Sequence, residues 1–230
     1  MKTVNWERVW RMSGINFVIF FIVAYVIYGD QPKAGAPASE LLSFYDGDRT
    51  RILIASVIFG LAVLNLLWFA AAITSTLRDV GQGGWGTAAT AASAALGAVF
   101  FVLITVNAAL AYSIAGSGNV PVTAGLNDLA WACIVMASFP AAMLIMAGSF
   151  GLWRAGILSN ALFGAGVAAV VLVLLAGTTW AGDGIWAPDG AYSRFISPAI
   201  AVVWILGISA ILLRSPSTAR APERAAMPSP

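Results

Sequence analysis

The sequence predicts an all-α polytopic membrane helix bundle of six transmembrane helices with both termini in the cytoplasm. Three observations lead there. The chain of 230 residues is 60% hydrophobic and 10% charged, where a soluble domain has about 25% charged residues. Six apolar runs approach or exceed the roughly 20 residues that a membrane helix needs. None of them carries Asp, Glu, Lys, Arg or His away from its ends.

The spans are expected at 13–28, 52–77, 86–114, 126–153, 158–180 and 195–213. The third is long enough to tilt or to extend past the hydrocarbon. The last opens on Ser197-Pro198, which reads as an N-cap followed by proline at the first helical position and makes this span the shortest. The loop 29–50 begins with the turn formers Gly29, Pro32, Gly35 and Pro37. A short helix over 39–45 follows, capped by Ser39, with Glu40 near the positive end of its dipole. Its Leu41 meets Phe44 and Tyr45 on one face, which suits the membrane interface or the mouth of the bundle. The second span ends Leu77-Arg78-Asp79-Val80-Gly81 and the fourth ends Leu152-Trp153-Arg154-Ala155-Gly156. Arginine favours a helix C-terminus and glycine the residue just past it, so these are two ordinary turns or a duplicated hairpin. Residues 81–86 match G-x-G-x-x-G. A dinucleotide fingerprint needs a preceding strand, so between two membrane helices this is a flexible turn. The proline- and alanine-rich segment 214–230 reads as a disordered cytoplasmic tail.

Orientation follows from the flanking cations. Lys2, Arg8, Arg11, Arg78, Arg154, Arg214, Arg220 and Arg224 fall on one side; Lys33, Arg49, Arg51 and Arg194 fall on the other. The richer side belongs in the cytoplasm. Seven of the ten acids take the opposite side, which nets −3 against +5 inside. Tryptophans 6, 10, 85 and 153 mark the inner boundary and 131, 180 and 186 the outer one, as an aromatic belt requires. Lys2, Arg8 and Arg11, then an apolar run, then Ala34-Gly35-Ala36, also imitate a cleavable signal peptide. Cleavage would leave five spans; the first span is taken as retained. The expected location is the plasma (cytoplasmic) membrane, crossed several times, with the lipid bilayer as partner.

Composition excludes several chemistries. A single cysteine, Cys133, permits no intrachain disulfide and no multi-cysteine metal site. The absence of histidine removes His-ligated haem, zinc or copper and Ser-His-Asp catalysis. The only lysines, Lys2 and Lys33, lie outside the apolar runs, so no buried Schiff base forms. No metal and no cofactor is expected. A net charge of +2 does not point to nucleic acid.

Polar features at depth supply the candidate ligand site. Asn65 lies about 20 Å inward along the second span and Pro140 about as deep along the fourth. Proline frees the carbonyl of Met136 and is expected to bend its helix; Asn65 is expected to bond that carbonyl. Asn65, Trp68, Asn107, Met136 and Pro140 form the candidate ligand-binding set, with helix gluing by Asn65 as the structural alternative. Asp46, Asp48, Arg49, Asp183 and Asp189, beside Arg51 and Trp186, are a second candidate, a polar clamp at the outer mouth. A solvated helix entry is the favoured reading of them, because surface ion pairs are common and weak. Small residues repeat every four in the third span (Ala89, Ser93, Gly97) and pair in the fifth (Gly164 with Ala168, Ala165 with Ala169). Such faces pack helices within a chain or between chains, including a homo-oligomer.

Pro37-Ala38-Ser39-Glu40, Phe44-Tyr45 and Arg49-Thr50-Arg51 before the second span resemble a pattern in small multi-spanning bacterial membrane proteins, actinobacterial ones among them, of unknown function. The stretch 152–158 is similar to their inner loop, with Ser159-Asn160 where those proteins often carry Pro-Arg, and Ile211-Leu212-Leu213-Arg214 is similar to their ending. The resemblance implies a six-span inner-membrane bundle and brings no catalytic residue. The leading functional expectation is non-catalytic: an accessory or packing subunit of a membrane assembly, or a binder of an apolar ligand. The alternative is a transporter of a neutral or lipid-like molecule. An enzyme ranks last, because no nucleophile–base pair is visible.

Overall fold

The structure, a computed structural model, describes residues 10–214; the expected disordered tail and the flank bearing Lys2 and Arg8 lie outside the described residues. All regular structure among the described residues is helical: α1 (Ser13–Tyr28), α2 (Ala38–Tyr45), α3 (Arg49–Asp79), α4 (Gly83–Ala109), α5 (Val120–Met136), α6 (Ser138–Arg154), α7 (Asn160–Ala176) and α8 (Ser197–Arg214). A π turn (Leu110–Ile114) and a 3-10 turn (Ala115–Ser117) extend α4, and a π turn (Tyr192–Ile196) leads into α8. Four continuous helical stretches are long and apolar enough to cross a membrane: Arg49–Asp79, Gly83–Ser117, Val120–Arg154 and Tyr192–Arg214. α1 and α7 are shorter apolar helices of 16 and 17 residues, so the last span is not the shortest, as its Ser-Pro start implied.

The helix ends follow from their sequences. At the end of α3 the Gly81 amide donates to Arg78 O and the Gln82 amide to Leu77 O. At the end of α6 Gly156 and Ile157 repeat the pattern onto Trp153 and Leu152. Both are Schellman closures that need a left-handed residue, and the two glycines have φ of +76° and +71°. Asn119 caps α5 and Ser159 caps α7 through their side chains. Two expected caps are corrected. α2 starts at Ala38 with Pro37 as its cap residue, so Ser39 lies inside the first turn. Ser197 is a helical residue too (φ −62°, ψ −47°), because the π turn has already started the helix. Pro198 is the second residue of α8, in the first turn, where a missing amide hydrogen is tolerated.

The long helices form a ring in chain order. α3 packs between α1 and α4, α6 between α4 and α7, and α8 closes the ring between α7 and α1. The end bearing Arg78, Arg154 and Arg214 is called the arginine end, and the opposite one, bearing α2, the loop end. Ala62, Leu66, Phe69, Ile73 and Leu77 form the buried stripe of α3 at helical spacing. Near the arginine end they meet Leu152, Trp204, Ile208 and Leu212 in a filled core. A smaller core at the loop end joins Leu41, Phe44 and Tyr45 of α2 to Ile52, Leu110 and Ala115. The small residues Ala89, Ser93 and Gly97 of α4 are spent internally: the first two are buried, and a side chain at Gly97 would sit 3.5 Å from Val63 and Leu67 of α3. Gly164, Ala165 and Ala168 of α7 are exposed.

The helix carrying Pro140 is interrupted at Ala137, three residues before the proline. The expected bond from Asn65 to Met136 is not formed. Asn65 Nδ2 donates to Leu61 O of its own helix at 2.9 Å, and Met136 faces outward, 48% exposed. The cause is the facing of the side chains: the second and fourth spans touch near the arginine end, where Leu77 meets Gly151, but Met136 turns away from the bundle, so matched depth does not bring the two groups together. Asn65→Leu is therefore expected to change unfolding free energy by no more than about 0.6 kcal/mol, the average for such membrane bonds. Thermal unfolding in nanodiscs checks this, and a larger loss would show a partner outside its own helix.

Candidate functional site

At the loop end the ring does not fill its centre. A cavity of about 210 Å³ lies between α1, α3, α4, α5, α6, α7 and α8. Its floor includes Leu66 and Ile205, about 14–20 Å along their helices from the arginine end. Below that level Phe69, Trp204 and Leu152 close the bundle. The wall is mostly carbon throughout, with the aromatic rings of Phe17, Phe59 and Phe100. The polar residues Asn107, Ser138, Ser197 and Arg194 lie in its upper half, about 24–36 Å from the arginine end along their helices, among apolar neighbours such as Leu103, Ile134 and Ala176.

Two of these groups stand out energetically. Asn107 is 7% exposed and Ser138 5% exposed, and neither Asn107 Oδ1 nor Ser138 Oγ has a hydrogen-bond partner. A buried polar atom left unpaired costs about 1–3 kcal/mol. Ser56, also on the wall, is satisfied by Ile52 O at 2.8 Å. Arg194 is the only charged residue on the wall among the described residues. Its guanidinium pairs with Asp30, donates to Tyr25 Oη at 3.3 Å and lies 5.1 Å from the Phe195 ring centre.

A strap formed by residues 29–37 crosses beside the mouth, where Gly29 and Gln31 reach the wall. The first turns of α5 hold it. Asn127 Oδ1 accepts from Gln31 Nε2 at 3.2 Å and from Tyr45 Oη at 2.8 Å. Asn127 Nδ2 donates to Lys33 O at 3.0 Å and Pro32 O at 3.4 Å. The Trp131 indole donates to Pro32 O at 2.9 Å, and Asp128 accepts from the Gly35 amide at 3.1 Å. Tyr45 is fully buried, and burial pushes its phenol well above the usual tyrosine range.

Of the five candidate ligand residues, the structure brings Asn107 to the cavity. Asn65, Trp68, Met136 and Pro140 are not on its wall, although the neighbours Ala137, Ser138 and Ala141 of the proline are. Trp68 is 51% exposed and stacks on Trp10 with ring centres 5.5 Å apart. The polar residues of the outer mouth do not converge on the cavity either. Asp48 pairs with Arg51 at 2.5 Å, one turn along. Arg49 sits over the Tyr112 ring, Asp46 lies near Gly116, and Asp183 and Asp189 lie on the 177–191 loop, off the cavity wall. Trp186 packs on Tyr192 and donates to Thr178 Oγ1. Gln31, Ser138 and Arg194 on the cavity wall, and Asn127, which holds the strap beside it, are site residues that sequence reasoning passed over. Asn127 and Asp128, a polar pair opening an apolar span, were the available signal. No group of three or more Cys, Asp or Glu capable of holding a metal occurs among the described residues. Comparison of the chain with protein-family models, curated proteins and solved structures finds no match.

Proposed function

We propose that this protein is a non-catalytic multi-pass membrane protein that binds a small, mainly apolar ligand in the cavity at the loop end of its ring. One observation carries the reading: a carbon-walled cavity of about 210 Å³ whose lining includes Asn107 and Ser138, each with a buried, unpartnered polar atom. Packed interiors have few voids larger than a water molecule. An apolar cavity of about 150 Å³ already admits benzene, so this one takes a ring or a short chain with a polar group. Bonding that group to Asn107 or Ser138 offsets the cost of burying them unpaired.

The test fills the space. Ala201 is on the wall and only partly buried, so Ala201→Phe puts a ring into the cavity from α8. Wild-type protein, purified in mild detergent, is expected to carry a small molecule identifiable by native mass spectrometry, and Ala201→Phe to lose it while still folding. Equal retention by both would defeat the reading.

The same proposal includes six crossings, with α1 and α7 as the two shorter ones, and the arginine end in the cytoplasm of a bacterial cell. The eight-to-four division of Lys and Arg supports that orientation. Reporter fusions at residue 84 and at the C-terminus are both expected to read cytoplasmic, and a periplasmic signal at either would overturn it. Transport of a neutral or lipid-like molecule is a second reading. The cavity's shape favours it, since a pocket that stops mid-bundle above a sealed core is one half of an alternating-access path. Facilitated exchange of the copurifying molecule across vesicles would select it over simple binding.

A further inference from the structure

Resting on that ligand-binding reading, we propose that the ligand is a single-chain amphiphile with an anionic head, its head at Arg194 and its chain toward Leu66 and Ile205. The wall is graded along its length. Carbon surrounds the floor, and the polar groups Asn107, Ser138, Ser197 and Arg194 gather above it. A uniformly apolar guest leaves Asn107 Oδ1 and Ser138 Oγ unpaired, and a uniformly polar one cannot desolvate against phenylalanine rings. A molecule polar at one end and apolar at the other meets both halves.

Arg194 selects the sign of the head. It is the only charge on the wall among the described residues, so nothing there neutralises a cationic head. Its side chain is 17% exposed, whereas that of its partner Asp30 is 95% exposed. Ion pairs with so exposed a partner are weak. A carboxylate or phosphate arriving from the cavity replaces Asp30 with a better-desolvated partner, and guanidinium suits both groups through paired N–H donors. When Asp30 leaves, Tyr25 Oη and the Phe195 ring still hold the guanidinium at the mouth. The cavity of about 210 Å³ admits one slender chain and not two.

The experiment uses the full chain in phosphatidylcholine nanodiscs, titrated calorimetrically with decanoate, decyl phosphate, 1-decanol and decyltrimethylammonium. At least one anionic amphiphile is expected to bind tenfold or more tighter than decanol, and the ammonium compound weakest. The stronger of decanoate and decyl phosphate identifies the head. Arg194→Gln is expected to erase the anionic preference and leave decanol unchanged; Arg194→Lys should retain most of it; Asp30→Asn should strengthen anion binding. Anions no tighter than decanol, or an Arg194→Gln loss shared equally by all four, would overturn the inference while the cavity reading stands. If Ala201→Phe weakens none of the four compounds, the cavity reading itself falls.

Discussion

Replacing Asn127 by leucine is expected to release the strap and to cost about 3 kcal/mol or more of stability. The side chain is fully buried and makes four bonds, two in each direction. Leucine fills the space but offers no partner. It takes the acceptor from both the Tyr45 hydroxyl and the Gln31 amide, and each buried polar group left unpaired costs about 1–3 kcal/mol; the Lys33 carbonyl keeps the Ala36 amide. Thermal unfolding reads the stability, and trypsin reads the strap, because Lys33 is exposed at its centre. Cleavage after Lys33 should accelerate at least tenfold. Asp128→Ala is the milder control, since Asp128 holds only the Gly35 amide and at an exposed position. The same network carries a pH dependence. The Tyr45 phenol titrates higher in the folded chain than in the unfolded one, first because of burial. Its contribution is therefore complete below the unfolded value of about 10 and is lost as pH rises from there toward the folded value. Tyr45→Phe should be less stable at neutral pH and should lose this part of the alkaline decline. An Asn127→Leu protein with wild-type melting and cleavage would show that the strap is held by something else.

The helices were legible and the site was not, for a physical reason. Helix ends are local events. Gly81 and Gly156 follow an arginine and accept a left-handed backbone, Asn119 and Ser159 offer side-chain caps, and each signal lies within a few residues of its effect. α1 accordingly falls at its expected 13–28. A binding cavity is a relation between helices. Asn65 and Met136 were matched by depth along their own spans, and depth says nothing about which way a side chain faces around its helix. The ring puts Met136 on the outside and Ser138, two residues on, on the cavity wall. Arg194 reads as one more flanking cation until α8 is seen to close against α1, bringing it to Asp30 and Tyr25. Asn127 reads as a polar residue at a membrane boundary until the strap is seen to lie on it.

The floor of the cavity should fail if Gly148 is enlarged. On α6 this glycine lies flat against the indole of Trp204 on α8. A Cβ there would fall 2.7 Å from Trp204 Cζ2 and 2.8 Å from Cη2, well inside van der Waals contact. The indole has little room to yield. Its N–H donates to Ser149 Oγ at 2.9 Å, its ring meets Phe69 edge-on at 6.1 Å, and Ser149 is itself held close against Gly166 of α7. Inserting carbon into a filled core costs about 1–3 kcal/mol and occasionally more. Moving Trp204 also breaks a buried hydrogen bond and leaves two polar groups unpaired. Gly148→Leu should therefore lower the unfolding temperature sharply or prevent folding. Gly164→Leu, on α7 with nothing within 4 Å of the added carbon, should be nearly neutral. Trp204→Leu combined with Gly148→Leu should recover part of the loss, because the smaller partner vacates the volume that leucine at 148 needs. Tolerance of Gly148→Leu alone, or a double variant worse than the sum of its parts, would mean that Trp204 is not the wedge that seals the bundle beneath the cavity.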